Sequence, residues 1–428
     1  VTSHFNFATD VVDKWAKDRN RLAIHWVSQD MTVEKKLTFF DVSLASCRVA
    51  NVLASHGIRK GDRVMVMLPR IPQWWEAMVG ITRRGAIPIP GTTQLTPKDI
   101  AYRIETAKIT VVITDIAEAH KFTSLHLGGV KLFAVGGSIP GWSDWDVEVA
   151  AASHIYKGAK TKSTDPGILY FTSGTTGYPK MVLHSQVSYP LAHKITGKYW
   201  LGCTENDLQW VIADTGWGLA VWGGLYGPWN CGACVFIHDS RTKFKATEVL
   251  DCLRKYHVTT MCAPPTVYRM MVLEDLRQYR FEFLRRCVSA GERLDEETMR
   301  IWKKETGLTI HEGYGQTETI ILTGNFLDAK LKPGSMGKAA PGFELAVLDG
   351  DGRRAKVGQE GDLVIRVKPK RPAGLFVEYL NNPDENRMRF VGPWYYTQDR
   401  VCRDKDGYFW FVGRADDVII SAGYRIGP

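Results

Sequence analysis

Eight cysteines in 428 residues are too few for a disulfide scaffold, and most stand in apolar surroundings, as Cys262 and Cys287 do, so a reducing compartment is expected. Cys231-Gly232-Ala233-Cys234 has redox or zinc spacing, but it lacks a second pair and runs into Val235-Phe236-Ile237, which reads as core packing. Long uninterrupted apolar runs are also missing. From Val211 to Ile237 only Asp214 is formally charged, yet Gly216, Gly218, Gly223, Gly224, Gly227, Pro228 and Gly232 break the stretch. It therefore reads as buried helix and strand, with no integral membrane segment. There is no internal repeat or low-complexity segment, no signal peptide precedes Val1, and any import sequence lies outside this numbering. Nor is the charge of one sign. The 55 basic residues against 46 acidic ones give +9, dispersed except for short clusters such as Arg83-Arg84, Lys303-Lys304 and Lys368 to Arg371. That is a solvated surface suited to small polyanionic ligands, with no nucleic-acid face expected.

With 44% apolar content the chain can bury large cores and is expected to hold more than one domain. Residues 1 to about 320 alternate β-rich runs with helical patterns, as a parallel α/β sheet does, and Val64 to Leu68, Thr110 to Thr114 and Ile168 to Phe171 are the clearest strands. Thr96-Pro97-Lys98-Asp99 sets a capping residue, a first-turn proline and a third-position acid in order, with Leu95 and Ile100 as a staple. Leu294-Asp295 through Thr306-Gly307 repeats that grammar. Near Pro333 the texture changes to short alternating runs, Glu344 to Leu348 and Leu363 to Val367, separated by Asp-Gly turns, which predicts a small antiparallel barrel.

The segment Tyr170-Phe171-Thr172-Ser173-Gly174-Thr175-Thr176-Gly177-Tyr178-Pro179-Lys180 is a strand running into hydroxyls, glycines and one lysine. Gly174 and Gly177 let backbone amides approach an anion. Thr172, Ser173, Thr175 and Thr176 supply rotatable donors, and Lys180, read as an exposed loop lysine, supplies a point charge for a polyphosphate. The spacing is not that of a P-loop, and a flexible surface loop would have the same composition.

Further on come Gly313-Tyr314-Gly315-Gln316-Thr317-Glu318-Thr319, Tyr396-Thr397-Gln398-Asp399-Arg400, Gly413-Arg414-Ala415-Asp416-Asp417 and Gly423-Tyr424-Arg425-Ile426-Gly427. In this order the motifs resemble the adenylate-forming enzymes: acyl-CoA synthetases, peptide-synthetase adenylation domains and luciferases. Pro90-Gly91-Thr92-Thr93-Gln94, Asp214-Thr215-Gly216-Trp217 and Ser421-Ala422-Gly423-Tyr424 look most like the mitochondrial medium-chain acyl-CoA synthetases. The resemblance runs from about Phe5 to Pro428 and implies an α/β fold of two packed, mostly parallel sheet subdomains plus a small distorted antiparallel barrel. It divides the chain into 1–332, 333–415 and a hinge with the start of a mobile C-terminal lid at 416–428. The rest of the lid, with its catalytic lysine, is missing, so the chain as it stands is expected to bind ATP and acid better than it turns them over.

The resemblance implies a medium-chain fatty acid:CoA ligase using ATP, Mg²⁺ and coenzyme A in the mitochondrial matrix, its partners small molecules. The rival readings are an aryl-acid or amino-acid adenylating enzyme, the latter with Asp214 facing a substrate amine, and a lid-less, non-catalytic nucleotide- or acyl-binding protein. Thr172 to Lys180 and Glu312 to Thr317 would border the nucleotide, with Tyr314 stacking on adenine and Asp399 and Arg414 near the ribose. Lys180, Thr317 and Glu318 are the catalytic candidates, and Glu318 is also the metal ligand. Gln94, Ala422, Gly423 and Tyr424 fall on the CoA side, Trp217, Gly315, Thr317 and Arg425 on the acid side, and Asp416 on the hinge. Bland alternatives stand beside several of these: a solvated carboxylate for Glu318, a core ring for Tyr314 and packing for Trp217. Gly315 is expected to leave the acyl tunnel open where acetate-selecting relatives carry tryptophan. One departure is visible: the family usually has Thr-Gly-Asp where this chain has Thr397-Gln398-Asp399, which weakens the site if the position needs a positive φ.

Overall fold

The strand Arg63–Met67 sends alternate side chains to opposite faces, and both faces are covered. Val64 and Val66 join Trp74, Val49 and Trp145 in one core cluster, while Met65 and Met67 join Ile89, Ile100, Leu169 and Met181 in another. Burial on both faces is what a parallel sheet requires. The sheet has five strands, in the order Ile87–Pro90, Arg63–Met67, Val111–Asp115, Lys131–Val135 and Ser143–Asp144, all pairs parallel. The computed structural model describes residues 2–158, 160–172 and 178–415, together with the backbone of the strands Ile419–Ser421 and Tyr424–Ile426.

A second, nine-stranded sheet has a parallel centre of Ile310–Tyr314, Arg286–Ser289, Thr260–Ala263, Leu208–Val211, Cys234–His238 and Leu22–Val27. Antiparallel strands finish both edges, Glu34–Thr38 on one side, Thr323–Gly324 and Lys338–Ala339 on the other. The two helices read from their caps form as expected. Thr96 makes a full capping box for Pro97–Ala107, and Asp295 caps Glu296–Thr306, which Gly307 ends at φ 75°. Their staples, Leu95 with Ile100 and Leu294 with Met299, are buried.

One strand expectation is corrected. Pro166–Thr172, which contains Ile168 to Phe171, lies in neither parallel sheet; it forms a three-stranded antiparallel sheet with Lys180–Ser185 and Glu378–Tyr379. The reason is the short connection, since a parallel crossover needs about a dozen residues or more. Thr172 and Lys180 are register partners, so both ends of the glycine- and hydroxyl-rich loop are held side by side. The strands Leu345–Leu348, Glu360–Arg366, Trp394–Arg403, Phe390–Val391 and Phe409–Arg414 form the antiparallel half-barrel, whose register breaks at Asp362/Val364 and Arg400/Val401 where it curls.

The stretch from Val211 to Ile237 resolves into the helical segments Gly218–Val221, Trp222–Tyr226 and Gly227–Asn230, followed by Cys234–His238. Among the described residues no helix is long and apolar enough to cross a membrane. All eight cysteines are free, and burial pushes the Cys231 thiol up to about 11 and the Cys234 thiol up to about 12, in keeping with packing rather than reactivity.

Candidate functional site

The strand Ile310–Tyr314 delivers Tyr314 to the half-barrel, where its hydroxyl donates to Asp399 Oδ2. The same oxygen accepts from Gln316 Nε2 at 2.6 Å, and Oδ1 accepts from Arg414 at 2.9 Å. Gln316 also donates to the Thr397 carbonyl at 2.8 Å. Four sequence-predicted residues are thus brought together, but Asp399 differs from expectation: it is buried and already accepts three hydrogen bonds from the protein, so ribose hydroxyls would have to share or displace them. Burial, and then the Asp399 charge, raise the Tyr314 phenol well above its ordinary value, so it stays a neutral donor. Gln398 has φ 62°, so the position does require the left-handed conformation that glycine adopts freely.

Glu318 lies buried two residues beyond Gln316. Its Oε1 accepts from the Tyr379 hydroxyl at 2.8 Å, and Oε2 finds no partner among the described residues. A buried carboxylate oxygen left unpaired is costly unless a ligand completes it. Among the described residues no three His, Cys, Asp or Glu side chains converge as a metal cage. The free oxygen instead suits a hard cation such as Mg²⁺, which takes one or two protein carboxylates and fills its other positions with phosphate and water. The Thr317 carbonyl accepts from His184 Nε2 at 2.8 Å, and the other ring nitrogen accepts from Ser188 at 3.2 Å. Burial pushes the His184 pKa down to about 4, so the ring is a neutral strut under Thr317.

Lys180 corrects the reading of an exposed loop lysine. It is only 8% exposed, its Nζ lies 2.6 Å from Glu385 Oε1, and it sits over the Tyr379 ring at 5.7 Å. Glu385 also accepts from Arg389 at 2.7 Å. Burial works to raise the Glu385 pKa, but the hydrogen bonds from Lys180 and Arg389 prevail and hold it below the ordinary value. Tyr178 is 60% exposed and stacks on Tyr102, whose hydroxyl donates to the Pro179 carbonyl at 3.2 Å; Thr172 is buried at the strand end. Ser173, Gly174, Thr175, Thr176 and Gly177 lie outside the described residues, as do Asp416, Ala422 and Gly423. Of Tyr424 and Arg425 only the backbone is described, in a strand paired with Ile419–Ser421. Glu312 also differs from expectation. Its oxygens accept backbone N–H groups of Leu294 at 3.2 Å and Gly334 at 3.1 Å, and burial raises its pKa to about 7, so its side chain ties loops together and is not offered to a nucleotide.

A cavity of about 130 Å³ opens beside this cluster, walled by Gly315, Gln316 and Thr317, by Trp217, Leu219 and Trp222, and by Pro264 with Ala290. Gly315 stands on the wall of this cavity, but the space at its own α-carbon is taken: a β-carbon built there would fall 2.4 Å from Trp222 Cη2. Asp214 is engaged by Thr92 Oγ1 at 2.9 Å and by the Gly216 amide at 2.8 Å, which leaves it a loop tie and removes the support for an amine-binding aspartate. A β-carbon on Gly216 would meet the Thr92 amide nitrogen at 2.1 Å, so the two loops touch backbone to backbone. Gln94 lines a different, larger cavity of about 400 Å³, with Arg70, Asp214 and Arg241. Sequence reasoning missed His184, Tyr379, Glu385 and Trp222. A lone histidine in Met181-Val182-Leu183-His184 was a signal for the first; the others depend on contacts distant in sequence.

Residues 12–374 match the model of the AMP-binding enzyme family. The chain is 44% identical over 442 residues to mouse (Mus musculus) acyl-coenzyme A synthetase ACSM3, mitochondrial, covering all of this chain and 75% of the relative. The human (Homo sapiens) ACSM3 is 43% identical with the same coverage. Among solved structures, an acyl-CoA synthetase from Brucella canis superposes with a TM-score of 0.89 at 32% identity, covering all of this chain and 78% of that one. The anthranilate CoA ligase AuaEII in complex with anthranoyl-AMP gives 0.89 at 28% identity, covering 100% and 81%.

Proposed function

This chain is a member of the AMP-binding enzyme family, and from that premise we propose that it is an AMP-forming acid:CoA ligase acting on a medium-chain fatty acid. A carboxylate oxygen attacks the α-phosphorus of ATP, giving acyl-AMP and pyrophosphate; the CoA thiol then attacks the acyl carbon, giving acyl-CoA and AMP and releasing the thiol proton. The observation that supports this best is the adjacency within Gly315 to Glu318. Gly315 to Thr317 wall an apolar cavity, Gln316 reaches the Tyr314–Asp399–Arg414 cluster, and Glu318 holds a free buried oxygen.

In this reading the hydroxyls and amides from Thr172 to Gly177 receive the phosphates, with Tyr178 and Pro179 closing the loop. Lys180 acts mainly by anchoring that loop's end to Glu385. The half-buried Tyr314 ring lies against adenine, Asp399 and Arg414 face the ribose, and Thr317, braced by His184, stands between phosphate and acid carboxylate. Glu318 would hold Mg²⁺, which when bound neutralises charge on the departing pyrophosphate. Gln94, Ala422, Gly423 and Tyr424 serve CoA, Arg425 the carboxylate, Trp217 the mouth of the acid cavity and Asp416 the hinge. Units of 1–332, 333–415 and 416–428 accompany this assignment. The mitochondrial names of the relatives support placement in the matrix, testable by fractionating cells that express the full-length protein.

The test is pyrophosphate release by the full-length protein with ATP, CoA and C2 to C12 acids, with benzoate in parallel. Release with C4 to C8 acids that falls sharply in Glu318→Gln is expected; no release with any acid sinks the proposal in favour of a non-catalytic binder. A second reading, an aryl-acid ligase, draws on the two indoles beside the cavity and on its size, slightly below the ~150 Å³ that takes benzene. Benzoate turned over well ahead of every linear acid would select it.

A further inference from the structure

Thr317 and Glu318 are the two central residues of a β-turn. The Thr319 amide donates to the Gln316 carbonyl at 3.1 Å, and Thr319 Oγ1 accepts from the Gln316 amide at 3.0 Å, so the ends of the turn are tied. The peptide between Thr317 and Glu318 is the one such a turn can flip: turned over, it converts a type I turn into a type II, which needs a positive φ at the third residue. Glu318 is not at positive φ, so both side chains are set by the unflipped form. Two contacts hold that form. His184 Nε2 donates to the Thr317 carbonyl at 2.8 Å, and the Glu318 carbonyl accepts from the Phe376 amide at 2.8 Å. The geometry also fixes the tautomer of the ring. A carbonyl oxygen only accepts, so Nε2 must carry a proton, and a buried neutral imidazole carries just one. Nδ1 is then the acceptor, and Ser188 Oγ supplies its hydrogen from 3.2 Å. Ser188 is fixed in turn by exchange with Ser185: the Ser185 amide donates to Ser188 Oγ at 2.8 Å, and the Ser188 amide to Ser185 Oγ at 3.0 Å. His184 stands on Lys180–Ser185, so the strand that leaves the phosphate loop also reaches the turn.

We propose that His184, set in its Nε2–H tautomer by Ser188, is a positioning residue that locks the Thr317–Glu318 peptide and so holds both side chains in the geometry for acyl-AMP formation. The proposal rests on the acid:CoA ligase reading and deepens it. His184 touches no substrate in this account; it acts through the backbone of the two residues that do. Two consequences separate the lock from ordinary packing. Only the N–H matters, so a different side chain that brings a donor to the same place must rescue what an apolar one of equal length loses. The loss must also fall on activation of the acid and not on the adenosine, because Tyr314, Gln316 and Asp399 make their contacts ahead of the flippable peptide.

The experiment compares full-length wild type, His184→Met, His184→Gln and Ser188→Ala. Methionine and glutamine have similar reach, and only glutamine carries an N–H. Three readouts are taken: kcat and KM for pyrophosphate release with ATP and hexanoate, calorimetry with AMP and with non-hydrolysable hexanoyl-sulfamoyl adenosine, and the ¹⁵N shifts of the His184 imidazole. Wild type should show a protonated Nε2 and a bare Nδ1. His184→Met should lower kcat by about tenfold or more, with the KM for ATP and the affinity for AMP within about threefold and hexanoyl-sulfamoyl adenosine bound about tenfold more weakly. His184→Gln should recover most of both losses. Ser188→Ala, which keeps the ring and frees its tautomer, should populate the Nδ1–H form and lower kcat by about threefold. A folded His184→Met with wild-type kcat overturns the proposal, as does His184→Gln no better than His184→Met at equal thermal stability, or an Nδ1–H ring in wild type. Should His184→Met not fold, Ser188→Ala decides alone, and wild-type kcat there overturns the proposal. The ligase reading fails separately. No pyrophosphate release by wild type with any acid defeats that reading, while the ring shifts and the binding of hexanoyl-sulfamoyl adenosine across the variants still decide whether His184 holds the turn.

Discussion

Lys180→Met should cost the fold stability before it costs the site a phosphate contact. The ammonium and Glu385 are both nearly buried and 2.6 Å apart, and Arg389 holds the same carboxylate oxygen from 2.7 Å. Removing one partner of a buried pair costs ~3–5 kcal/mol because the other charge is left uncompensated. Here Arg389 still answers Glu385, so the loss should fall at the low end, about 3 kcal/mol. Glu385→Gln leaves two buried cations facing no anion and should therefore be the more damaging of the two. The pH dependence has a definite sign. Glu385 is held below its ordinary 4.5, so its contribution is fully present above about that pH and is lost as pH falls through the depressed folded value. The assay is urea unfolding of wild type, Lys180→Met and Glu385→Gln at pH 7, with wild type and Lys180→Met repeated at pH 4. A Lys180→Met midpoint equal to wild type would refute the buried pairing and restore an exposed lysine. A Glu385→Gln variant milder than Lys180→Met would refute the count of two cations on one carboxylate.

Gln398→Gly should stabilise the protein, because a side chain at φ 62° costs ~1–2 kcal/mol of which glycine's extra unfolded entropy returns part; a net gain near 1 kcal/mol is expected in the same unfolding assay. Glu318→Gln should weaken magnesium-ATP binding at least tenfold and metal-free ATP binding much less, read by calorimetry with and without a chelator; equal losses would mean the free oxygen meets no metal. Asp399→Asn should raise the KM for ATP and lower stability, since one acceptor facing Tyr314, Gln316 or Arg414 becomes an N–H donor; thermal unfolding and kinetics on the same preparation check both. Thr96→Ala should cost ~1 kcal/mol by removing the cap of Pro97–Ala107, with kinetics unchanged.

Local chemistry was legible in the sequence wherever it acts over a few residues. Thr96 and Asp295 cap the helices expected of them, Gly307 ends one, and three of the motifs meet through Gln316, Asp399 and Arg414. What was not legible is pairing between remote segments. The strand pattern of Ile168 to Phe171 is the same whether the partner runs parallel or antiparallel, and only the short return to Lys180 decides. Nothing near Lys180 announces Glu385, which reads locally as an acid in the first turn of Pro383–Arg389. Gly315 reads as empty space in the sequence, yet a glycine records only what its own residue lacks. Whether the space is vacant depends on the opposite wall, and here Trp222 fills it.

That dependence makes Gly315→Ala a test of the wall itself. The new β-carbon would lie 2.4 Å from Trp222 Cη2 and 2.6 Å from the Ile320 carbonyl oxygen, both shorter than real contacts permit. The carbonyl belongs to the backbone, so the indole must move most, and it is held by the Tyr189 hydrogen bond. Overpacking of this kind costs ~1–3 kcal/mol. In Trp222→Leu the same alanine should lose much of that cost, because a smaller side chain can withdraw from it, leaving only the approach to Ile320. The double-mutant cycle on unfolding free energy should therefore show coupling of at least ~1 kcal/mol between positions 315 and 222. Additive losses would mean that the indole does not occupy the space beside Gly315.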